Sequence, residues 1–489
     1  MEVHPDPTKR FRVPKCRGAS VHPRLTAPPR SGDRAGMVLD TLSLIGNTPM
    51  VQVRQMDTGV CELFLKLESQ NPGGSIKDRI GLSMIEAAER EGKIKPGSRL
   101  VEATAGNTGL ALALVAAKKG YKLTLVIPDK MSQEKVSHLR ALGAEIVLTR
   151  SDVGKGHGEY YQDIAERIAK EDPNAYFINQ FANPANPLAH ETTTGPEIWA
   201  QMDQRVDAIS CGVGSGGTMA GLTKFFDRVS PHTEMILADP EGSILVDYVK
   251  TGKYGQAGSW LVEGIGEDFI PSIADLSKVK SAYSISDRES FDTARMLLQQ
   301  EGILGGSSSG TLIAAALRYC REQKTPKRVV TFVCDSGNKY LSKMFNDFWM
   351  ADQGFLDVPS HGDLRDLVSR SHERRAAIIV RPDDLLQRAF QLMRLYDVSQ
   401  LPVLEGDKVV GLLDESDVLL AVNTDQANFR NPVARHMSKA LETLPINTPI
   451  SDVIPVLARG LVAIVVDGDR FVGLVTRFDL LNHLRRRLK

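Results

Sequence analysis

The sequence has few cysteines, and their spacing does not indicate pairing. Cys16, Cys61, Cys211, Cys320 and Cys334 are an odd number and are scattered along the chain. This usage is typical of a reducing compartment and excludes a disulfide framework or a zinc site. Long apolar runs are also lacking, since none approaches the roughly 20 residues that a membrane helix needs.

The sequence has no excess charge of either sign. Lys and Arg total 60 and Asp and Glu total 60, so the formal net charge at pH 7 is zero. A nucleic-acid-binding protein normally carries a basic excess, so this class is disfavoured. We therefore expect a cytoplasmic protein with no nucleic-acid partner and no membrane partner.

What is present is an ordinary globular composition over a long chain. The 489 residues are 42% hydrophobic and 25% charged, which predicts two or three folded domains. Residues 1–37 are rich in Pro, Arg and Gly and lack apolar periodicity, so we predict a disordered N-terminal extension. No apolar segment follows its basic residues, so it is not expected to be a secretory signal.

From about residue 40 to residue 350, short apolar strands alternate with amphipathic helices. The predicted strands include 62–68, 122–127, 146–148, 208–211, 235–238 and 329–333, and the predicted helices include 77–91 and 132–142. This alternation predicts an α/β domain over residues 38–355, with parallel sheets covered on both faces. Its size predicts two lobes with a cleft, and ligands at the C-terminal ends of the strands.

The last part of the chain contains an internal repeat. Residues 409–420 (VVGLLDESDVLL) align with residues 471–481 (FVGLVTRFDLL), and a Gly-Asp turn precedes each copy. Small units of this kind cannot bury a hydrophobic face alone and should pack together. We predict a module over residues 371–489, with repeats at about 371–428 and 429–489. A linker over residues 356–370, including the polar stretch 362–365, would join the module to the first domain.

A lysine at the start of a helix is the first candidate for chemistry. Pro72, Gly73 and Gly74 form a turn after a strand, and Lys77 begins the predicted helix. The positive helix N-terminus and desolvation both lower the pKa of such an amine and favour its neutral, nucleophilic form. Considered alone, the motif favours a solvated lysine beside a turn.

Three further loops each lie between a predicted strand and a predicted helix. Residues 102–109 offer hydroxyls and N–H groups to a carboxylate, although an N-cap with a glycine turn is an alternative. Residues 212–218 fit neither a nucleotide P-loop nor a Rossmann fingerprint, but their amides and Thr218 suit one phosphate. Residues 301–310 are a loop of small residues, expected to precede a helix that begins at Thr311.

One cofactor would use all four features. With pyridoxal phosphate, the lysine attaches covalently to the cofactor aldehyde, the glycine loop holds the phosphate, and the 102–109 loop holds an amino-acid carboxylate. No aspartate is evident for the pyridine nitrogen, and a serine hydroxyl can take its place. A neutral partner makes the ring a weaker electron sink, which favours β-elimination and replacement over transamination.

The four motifs, in this order, resemble the fold type II pyridoxal-phosphate enzymes of the cysteine synthase and cystathionine β-synthase family. Further stretches that resemble this family are residues 128–135, 139–145, 186–190, 239–243, 263–266 and 349–350. The C-terminal repeat resembles a pair of CBS motifs. The resemblance covers residues 38–489 and implies a two-lobed α/β enzyme, a tandem CBS-motif (Bateman) module of α+β type, and assembly as a homodimer or homotetramer.

The resemblance also implies roles for individual residues. Lys77 would be the catalytic lysine, attached to pyridoxal phosphate and moving the proton at the substrate Cα. The cofactor would be held by Asn107 at its ring hydroxyl, by Ser308 at its pyridine nitrogen, and by Gly214, Ser215, Gly216, Gly217 and Thr218 at its phosphate. The amino-acid substrate would bind Thr104, Ala105, Thr108, Gln180, Gly264 and Glu267.

Several positions depart from the family pattern. Ala105 stands where many relatives have serine, and Phe181 and Glu267 replace tyrosines of the animal enzymes. The last two changes leave the contacts of the second substrate open. The surroundings of Cys16 and His22 differ from those of the haem ligands in the animal enzymes, so no haem is expected.

The family resemblance implies a β-replacement reaction. L-serine, or L-cysteine with release of hydrogen sulfide, would condense with L-homocysteine to L-cystathionine on the transsulfuration route to cysteine. An O-acetylserine-dependent cysteine synthase shares all four motifs and is the alternative within the family. A nucleotide-sensing module on a non-catalytic α/β scaffold is the alternative from another class.

The C-terminal repeats are a candidate site for an adenosyl ligand. Asp417 and Asp479 follow corresponding Gly-Leu strands, and an aspartate there can accept hydrogen bonds from ribose hydroxyls, with Thr476 nearby. A ligand such as S-adenosylmethionine is expected near Thr476 and Asp479 if the module binds one. The alternative is that both aspartates only cap helices.

Overall fold

The computed structural model describes residues 40–486, except residues 105, 130–132, 151, 154–155, 357–358 and 374. The strands are β1 Met50–Gln52, β2 Glu62–Lys66, β3 Arg99–Ala103, β4 Lys122–Pro128, β5 Glu145–Thr149, β6 Ala175–Phe177, β7 Ala208–Cys211, β8 Glu234–Pro240, β9 Val279–Ile285, β10 Arg328–Phe332, β11 Gln400–Glu405, β12 Lys408–Asp414, β13 Thr443–Pro445, β14 Ala463–Asp467 and β15 Arg470–Val475. The helices are α1 Lys77–Arg90, α2 Asn107–Lys119, α3 Gln133–Ala141, α4 Tyr161–Glu171, α5 Ala185–Ala189, α6 Gly195–Gln201, α7 Gly217–Val229, α8 Leu245–Thr251, α9 Asp287–Met296, α10 Ser307–Glu322, α11 Asp347–Asp352, α12 Leu386–Tyr396, α13 Glu415–Thr424, α14 Ile450–Ala458 and α15 Arg477–Arg486.

The larger lobe is built on a six-stranded sheet with the order β1-β2-β10-β7-β8-β9. β1 is antiparallel to β2, and the other neighbouring pairs are parallel. Side chains alternate across a strand, so Val329 and Val330 of β10 enter cores on opposite faces of the sheet. Phe226 of α7 packs in one core and Leu317 of α10 in the other.

The smaller lobe has a four-stranded parallel sheet with the order β5-β4-β3-β6. Met84 of α1 and Leu110 of α2 pack on one face with Leu125 of β4. Ala165 of α4 packs on the other face with Val126 of β4. The two sheets confirm the predicted two-lobed α/β fold, since parallel sheets need both faces covered.

One predicted boundary was wrong. The small-residue loop was expected to run to Gly310, but α10 already begins at Ser307. Gly306 supplies the extended residue before the helix, and Ser309 Oγ accepts a hydrogen bond from the Cys334 N–H at 2.9 Å. Buried hydrogen bonding to the strand end therefore accommodates serines that have a weak helix propensity.

The two C-terminal repeats pack together, as predicted. β11 and β12 form an antiparallel pair, and β13, β14 and β15 form a second sheet. Leu404 of the first repeat shares a hydrophobic cluster with Ile464 and Phe471 of the second. The Phe471 N–H also donates to the Asp407 carbonyl at 2.8 Å, which ties the second hairpin to the first turn.

The stretch 362–365 is not the linker that its polarity predicted. Leu364 and Leu367 are buried in the hydrophobic core of the second repeat, together with Val453 and Val465. The Leu364 N–H donates to the Thr448 carbonyl at 3.1 Å. Two leucines spaced by three residues are enough to dock this short segment, although its other side chains are polar.

The remaining sequence predictions concern the N-terminal extension, the cysteines and membrane-spanning helices. The predicted N-terminal extension, with Cys16 and His22, lies outside the described residues. The cysteines of the described part, Cys61, Cys211, Cys320 and Cys334, carry free thiols. Nowhere in the described part of the chain does a helix combine the length and apolarity that crossing a membrane requires.

Candidate active site

A cavity of about 560 Å³ lies between the lobes, where β3, β7 and β10 end. It is lined by residues of all four predicted motifs and by three further predicted substrate positions, namely Lys77, Thr104, Asn107, Thr108, Gly214, Ser215, Thr218 and Ser308, with Gln180, Gly264 and Glu267. Gly216 and Gly217 continue the glycine loop without lining the cavity, and Ala105 lies outside the described residues. The tertiary structure thus brings segments that are far apart in sequence into one site.

Four helices begin at this cavity. They are α1 at Lys77, α2 at Asn107, α7 at Gly217 and α10 at Ser307. Their N-cap residues are Ile76 and glycines, so no N-cap side chain in this described part supplies a hydrogen bond. Unused N–H groups and the helix dipoles give each N-terminus a partial positive charge. The cavity therefore suits a ligand that carries several anionic oxygens.

The environment of Lys77 favours a neutral amine. Desolvation by burial is the main cause that lowers the pKa of Lys77, and it outweighs opposite effects of Cys334, Asp335 and Glu267. The direction agrees with the expectation from the sequence, and the position at the first residue of α1 adds the repulsion of the helix dipole. A neutral amine in this cavity can attack a carbonyl carbon or accept a proton.

Gln180 organises the loop that follows β3. The Thr108 hydroxyl donates to Gln180 Oε1 at 2.7 Å, and the Gly106 N–H donates to Thr104 Oγ1 at 3.2 Å. Behind the loop, the buried Glu102 accepts a hydrogen bond from the Gln180 N–H at 3.3 Å. These bonds fix the hydroxyl groups of Thr104 and Thr108 at the cavity wall.

Glu102 should make the stability of the protein depend on pH. Burial raises its carboxyl pKa to about 8 from an ordinary value of 4.5, although backbone N–H groups oppose the shift. The folded state then binds this proton more tightly than the unfolded state, so stability is lost as pH rises from about 4.5 to about 8. We expect Glu102→Gln to flatten the fall of the thermal unfolding midpoint over this range.

The control for Glu102→Gln is Glu171→Gln, at the exposed end of α4. Thermal unfolding followed by circular dichroism at a series of pH values measures both variants. The same slope against pH in Glu102→Gln and wild type would contradict the prediction.

In the loop after β7, Gly214, Gly216 and Gly217 have no room for a side chain. Gly216 has φ of +89°, which favours glycine. A Cβ at Gly214 would lie 2.5 Å from the Gly264 carbonyl oxygen, and one at Gly217 would lie 1.8 Å from Asn186 Oδ1. The close contact of Gly214 with Gly264 also ties the glycine loop to the predicted substrate loop.

Two residues behind the glycine loop were not assigned a role from the sequence. Asn186 Nδ2 donates to Ser215 Oγ at 2.9 Å, and His190 Nε2 lies 3.2 Å from Thr218 Oγ1. Burial lowers the pKa of His190 well below its ordinary value, so the ring is neutral. Both residues lie in the 186–190 stretch that resembles the family, which was the signal that could have identified them.

Asn107 is held at both ends of its amide group. Its Nδ2 donates to Asp335 Oδ2 at 2.9 Å, and its Oδ1 accepts from Lys339 Nζ at 2.7 Å. The Tyr340 hydroxyl donates to the same Asp335 oxygen at 2.9 Å. The second Nδ2 hydrogen is therefore the group that remains for a ligand. The sequence analysis missed these three partners, although they follow a strand end, where ligands of α/β folds bind.

Ser308 lies in the first turn of α10 and is buried at the cavity wall near Cys334. Burial raises the pKa of the Cys334 thiol to about 12, so the thiol is neutral at physiological pH. The uncharged hydroxyl of Ser308 therefore lies beside an uncharged thiol. This is the electrostatic setting that a serine partner for a pyridine nitrogen requires.

The site as a whole suits pyridoxal phosphate. The amine of Lys77, with its lowered pKa, matches the aldehyde, and the uncapped N-terminus of α7 after the glycine loop matches the phosphate. The Asn107 amide matches the ring hydroxyl, and Ser308 matches the pyridine nitrogen. The donor set of this structure therefore fits the cofactor that the sequence predicted.

In the C-terminal module, the candidate adenosyl-binding residues contact one another. The Thr476 N–H and hydroxyl donate to Asp479 Oδ2 at 2.8 and 2.6 Å, and Ser369 Oγ donates to Asp479 Oδ1 at 2.7 Å. In the first repeat, Asp417 and Asp414 form a capping box at the start of α13. Both aspartates therefore make the capping contacts that the alternative interpretation required.

Comparison with known families identifies the class of protein. The family model described as pyridoxal-phosphate dependent enzyme matches residues 41–335, and the CBS domain model matches residues 365–424 and 433–486. The chain is accordingly a pyridoxal-phosphate dependent enzyme that carries two CBS domains.

Individual relatives show to which family within this class of enzymes the chain belongs. Cystathionine beta-synthase of Apis mellifera is 33% identical over 474 residues, which cover 94% of this chain and 94% of the relative. Cysteine synthase A of Salmonella typhi is 43% identical over 307 residues, which cover 62% of this chain and 94% of the relative. The solved structure of a hydrogen sulfide-producing enzyme from Fusobacterium nucleatum is 38% identical, with a TM-score of 0.59, and covers 62% of this chain and 100% of that one. The chain belongs to the cystathionine beta-synthase family.

Proposed function

We propose that the enzyme condenses L-serine with L-homocysteine to L-cystathionine, and that L-cysteine can replace serine with release of hydrogen sulfide. The observation that carries this proposal is the extent of the likeness to the cystathionine beta-synthase of Apis mellifera, which includes the C-terminal module. The cavity supports the proposal because it is lined by a neutral lysine, by a loop whose hydroxyl groups suit a carboxylate, and by additional charged groups.

The proposed reaction uses the residues of the cavity as follows. When bound, pyridoxal phosphate would supply an electron sink for the substrate Cα. The Thr104–Thr108 loop and Gln180 hold the α-carboxylate, and Lys77 Nζ takes the proton from Cα, which its lowered pKa supports. In the overall balance, the Cβ–O bond of serine breaks, the homocysteine sulfur bonds to Cβ, and water is released.

Turnover of three donors tests the proposal. Serine, cysteine and O-acetylserine are each incubated with the holoenzyme, with and without homocysteine, and the products are identified by mass spectrometry. We expect cystathionine from serine and homocysteine, and hydrogen sulfide with cystathionine from cysteine and homocysteine. Formation of cysteine from O-acetylserine and sulfide, with no cystathionine from any donor, would overturn it.

That last outcome would favour an O-acetylserine-dependent cysteine synthase. The observation behind this second candidate is the 43% identity to cysteine synthase A of Salmonella typhi, which is higher than the 33% identity to the Apis mellifera enzyme. The likeness ends before the CBS domains, however, since it covers 62% of this chain. The module at the C-terminus therefore favours the first candidate.

For the C-terminal module we propose an adenosyl ligand near Thr476 and Asp479. CBS domains commonly bind such ligands, and this chain has two of them. Asp479 brings both carboxylate oxygens to the junction of β15 and α15, where they contact Thr476 and Ser369. A ribose diol could exchange for the side-chain donors at this position while the Thr476 N–H continues to cap the helix.

Calorimetric titration of the full-length holoenzyme with S-adenosylmethionine tests this site. We expect wild type to bind and Asp479→Ala to lose the binding heat, because the ribose acceptor is gone. Asp417→Ala removes the equivalent helix cap of the first repeat and should retain binding, which makes it the matched control. Absence of heat in wild type, or equal losses in both variants, would leave the aspartates as helix caps.

We also propose that the enzyme is a homodimer or a homotetramer. Leu419, Leu420, Phe478 and Leu481 are large apolar residues that remain exposed on α13 and α15 of the single chain. A contact between copies would remove these side chains from water. Light scattering after size exclusion tests the assembly, and a monomer would contradict it.

A further inference from the structure

Lys339 joins segments of the site that come from different parts of the chain. It lies in a short turn after β10 and is half-buried. Its Nζ donates to Asn107 Oδ1 at 2.7 Å and to the carbonyl oxygens of Gly74 at 3.3 Å and Gly73 at 3.5 Å. Asn107 is the first residue of α2, and the two glycines belong to the turn before α1. One side chain therefore links the end of the larger sheet to the starts of two helices at the cavity.

The surroundings of Lys339 suit a group that only donates hydrogen bonds. Three acceptor oxygens match the three hydrogens of an ammonium group, whereas a neutral amine would direct its lone pair at one of them. Burial lowers the pKa of Lys339 below its ordinary value, and Asp335 and Asp78 oppose that shift. The hydrogen-bond geometry therefore favours the ammonium form.

The partners of the Asn107 amide define its orientation. Asp335 Oδ2 accepts from Asn107 Nδ2 at 2.9 Å and also accepts from the Tyr340 hydroxyl at 2.9 Å. A rotation of the amide by 180° would turn its N–H groups toward the Lys339 ammonium and its carbonyl oxygen toward the Asp335 oxygen. The two ends of an amide have nearly the same shape, so these hydrogen bonds distinguish them. Lys339 is the partner that holds the carbonyl end.

We propose that Lys339 is a positioning residue for the cofactor, which holds the Asn107 amide with one Nδ2 hydrogen toward the ring oxygen of pyridoxal phosphate. An N–H donor at that oxygen stabilises its ionised form, and a rotated or loosened amide would not. The inference rests on the proposed role of Asn107 and is independent of the identity of either substrate. It goes beyond the proposed function, because the family resemblance gave Lys339 no role.

The full-length enzyme without substrate provides the test. Lys339→Met removes the Nζ donor and keeps an unbranched side chain. We expect the visible absorption of the bound cofactor to move to shorter wavelength, because a less ionised ring oxygen donates fewer electrons to the ring. The Kd for pyridoxal phosphate should rise by about 10-fold, because the buried amide loses a hydrogen bond. Lys339→Arg keeps a donor and should keep both values close to those of wild type.

A second substitution separates positioning from a purely structural role. In Asn107→Ala the amide is absent, so adding Lys339→Met should raise the Kd by no more than about 2-fold. A lysine that only anchors the turn before α1 would have the same effect in both backgrounds, because the carbonyl groups of Gly73 and Gly74 are present in both. Equal effects in the two backgrounds would overturn the proposal, and so would a wild-type spectrum and Kd in Lys339→Met.

Controls establish that the variants are folded and that the effect is specific. Lys324→Met, at an exposed lysine before β10, should change neither the spectrum nor the Kd. Circular dichroism of Lys339→Met should match wild type, and borohydride reduction should still attach the cofactor to Lys77. Since these measurements use no substrate, their failure would leave the proposed β-replacement reaction intact. Failure of that reaction in wild type would likewise leave the role of Lys339 intact.

Discussion

Replacement of Lys77 by Ala is expected to abolish covalent cofactor attachment and to lower turnover by about 10⁴-fold or more. Lys77 carries the amine with a lowered pKa in this cavity, and it is the residue proposed both to hold the aldehyde and to move the Cα proton. Borohydride reduction of wild type, followed by peptide mass spectrometry, should locate the cofactor on Lys77. The same treatment of Lys77→Ala should give unlabelled protein.

Controls separate chemistry from folding in this experiment. Lys77→Ala should keep the wild-type circular dichroism spectrum, because removing a costly buried amine leaves no unpaired charge. Lys324→Ala, at an exposed position, should keep both the label and the activity. Label on another lysine, or β-replacement by Lys77→Ala at the wild-type rate, would show that the assignment is wrong.

Replacement of Ser308 by Asp is expected to have the second largest effect. A carboxylate in place of the buried hydroxyl would hold a proton on the pyridine nitrogen and make the ring a stronger electron sink. Electrons withdrawn into the ring are not available to expel the group at Cβ, so we expect β-replacement to slow by about 10²-fold or more. The absorbance spectrum of the bound cofactor should shift as well, which gives a readout independent of rate.

Ser308→Ala is the matched control for this prediction. It removes the hydroxyl without adding a charge, so it should retain most of the activity and leave the spectrum close to that of wild type. Equal loss of activity in both variants would point to packing near Cys334 as the cause. An unchanged spectrum and rate in Ser308→Asp would show that Ser308 does not face the pyridine nitrogen.

Much of the fold could be predicted because its determinants are local. The alternation of strands and helices gave the two-lobed α/β fold, and β7 was predicted with its observed bounds. Errors arose where a tertiary contact outweighs local preference. Ser307 begins α10 although the sequence reads as a loop, since Ser309 bonds to the end of β10. Leu364 is buried in a stretch whose other residues are polar, because two leucines are enough to dock it.

The residues of the candidate site also fall into two groups, those that a local sequence pattern predicts and those that only a tertiary contact identifies. Lys77 and the glycine loop stand out in the sequence because their chemistry requires a residue type at a fixed distance from a strand end. Asp335 and Lys339 were missed, since their importance comes from contacting Asn107, which is more than 200 residues away in the chain. Such a contact follows from the topology of the larger sheet, and no local pattern encodes it.

Three features could be predicted from the sequence alone, namely the class of fold, the repeat at the C-terminus and the kind of chemistry at the cavity. These depend on periodicity, on glycine at crowded or positive-φ positions, and on one lysine at a helix start. Which charged side chains contact one another depends on the tertiary structure. Lys135, Glu263 and Lys343 come from separate segments and form one ion-pair group across the cleft. Burial, which lowers the pKa of Lys77, likewise depends on how the lobes pack, and packing is a property of the folded chain as a whole.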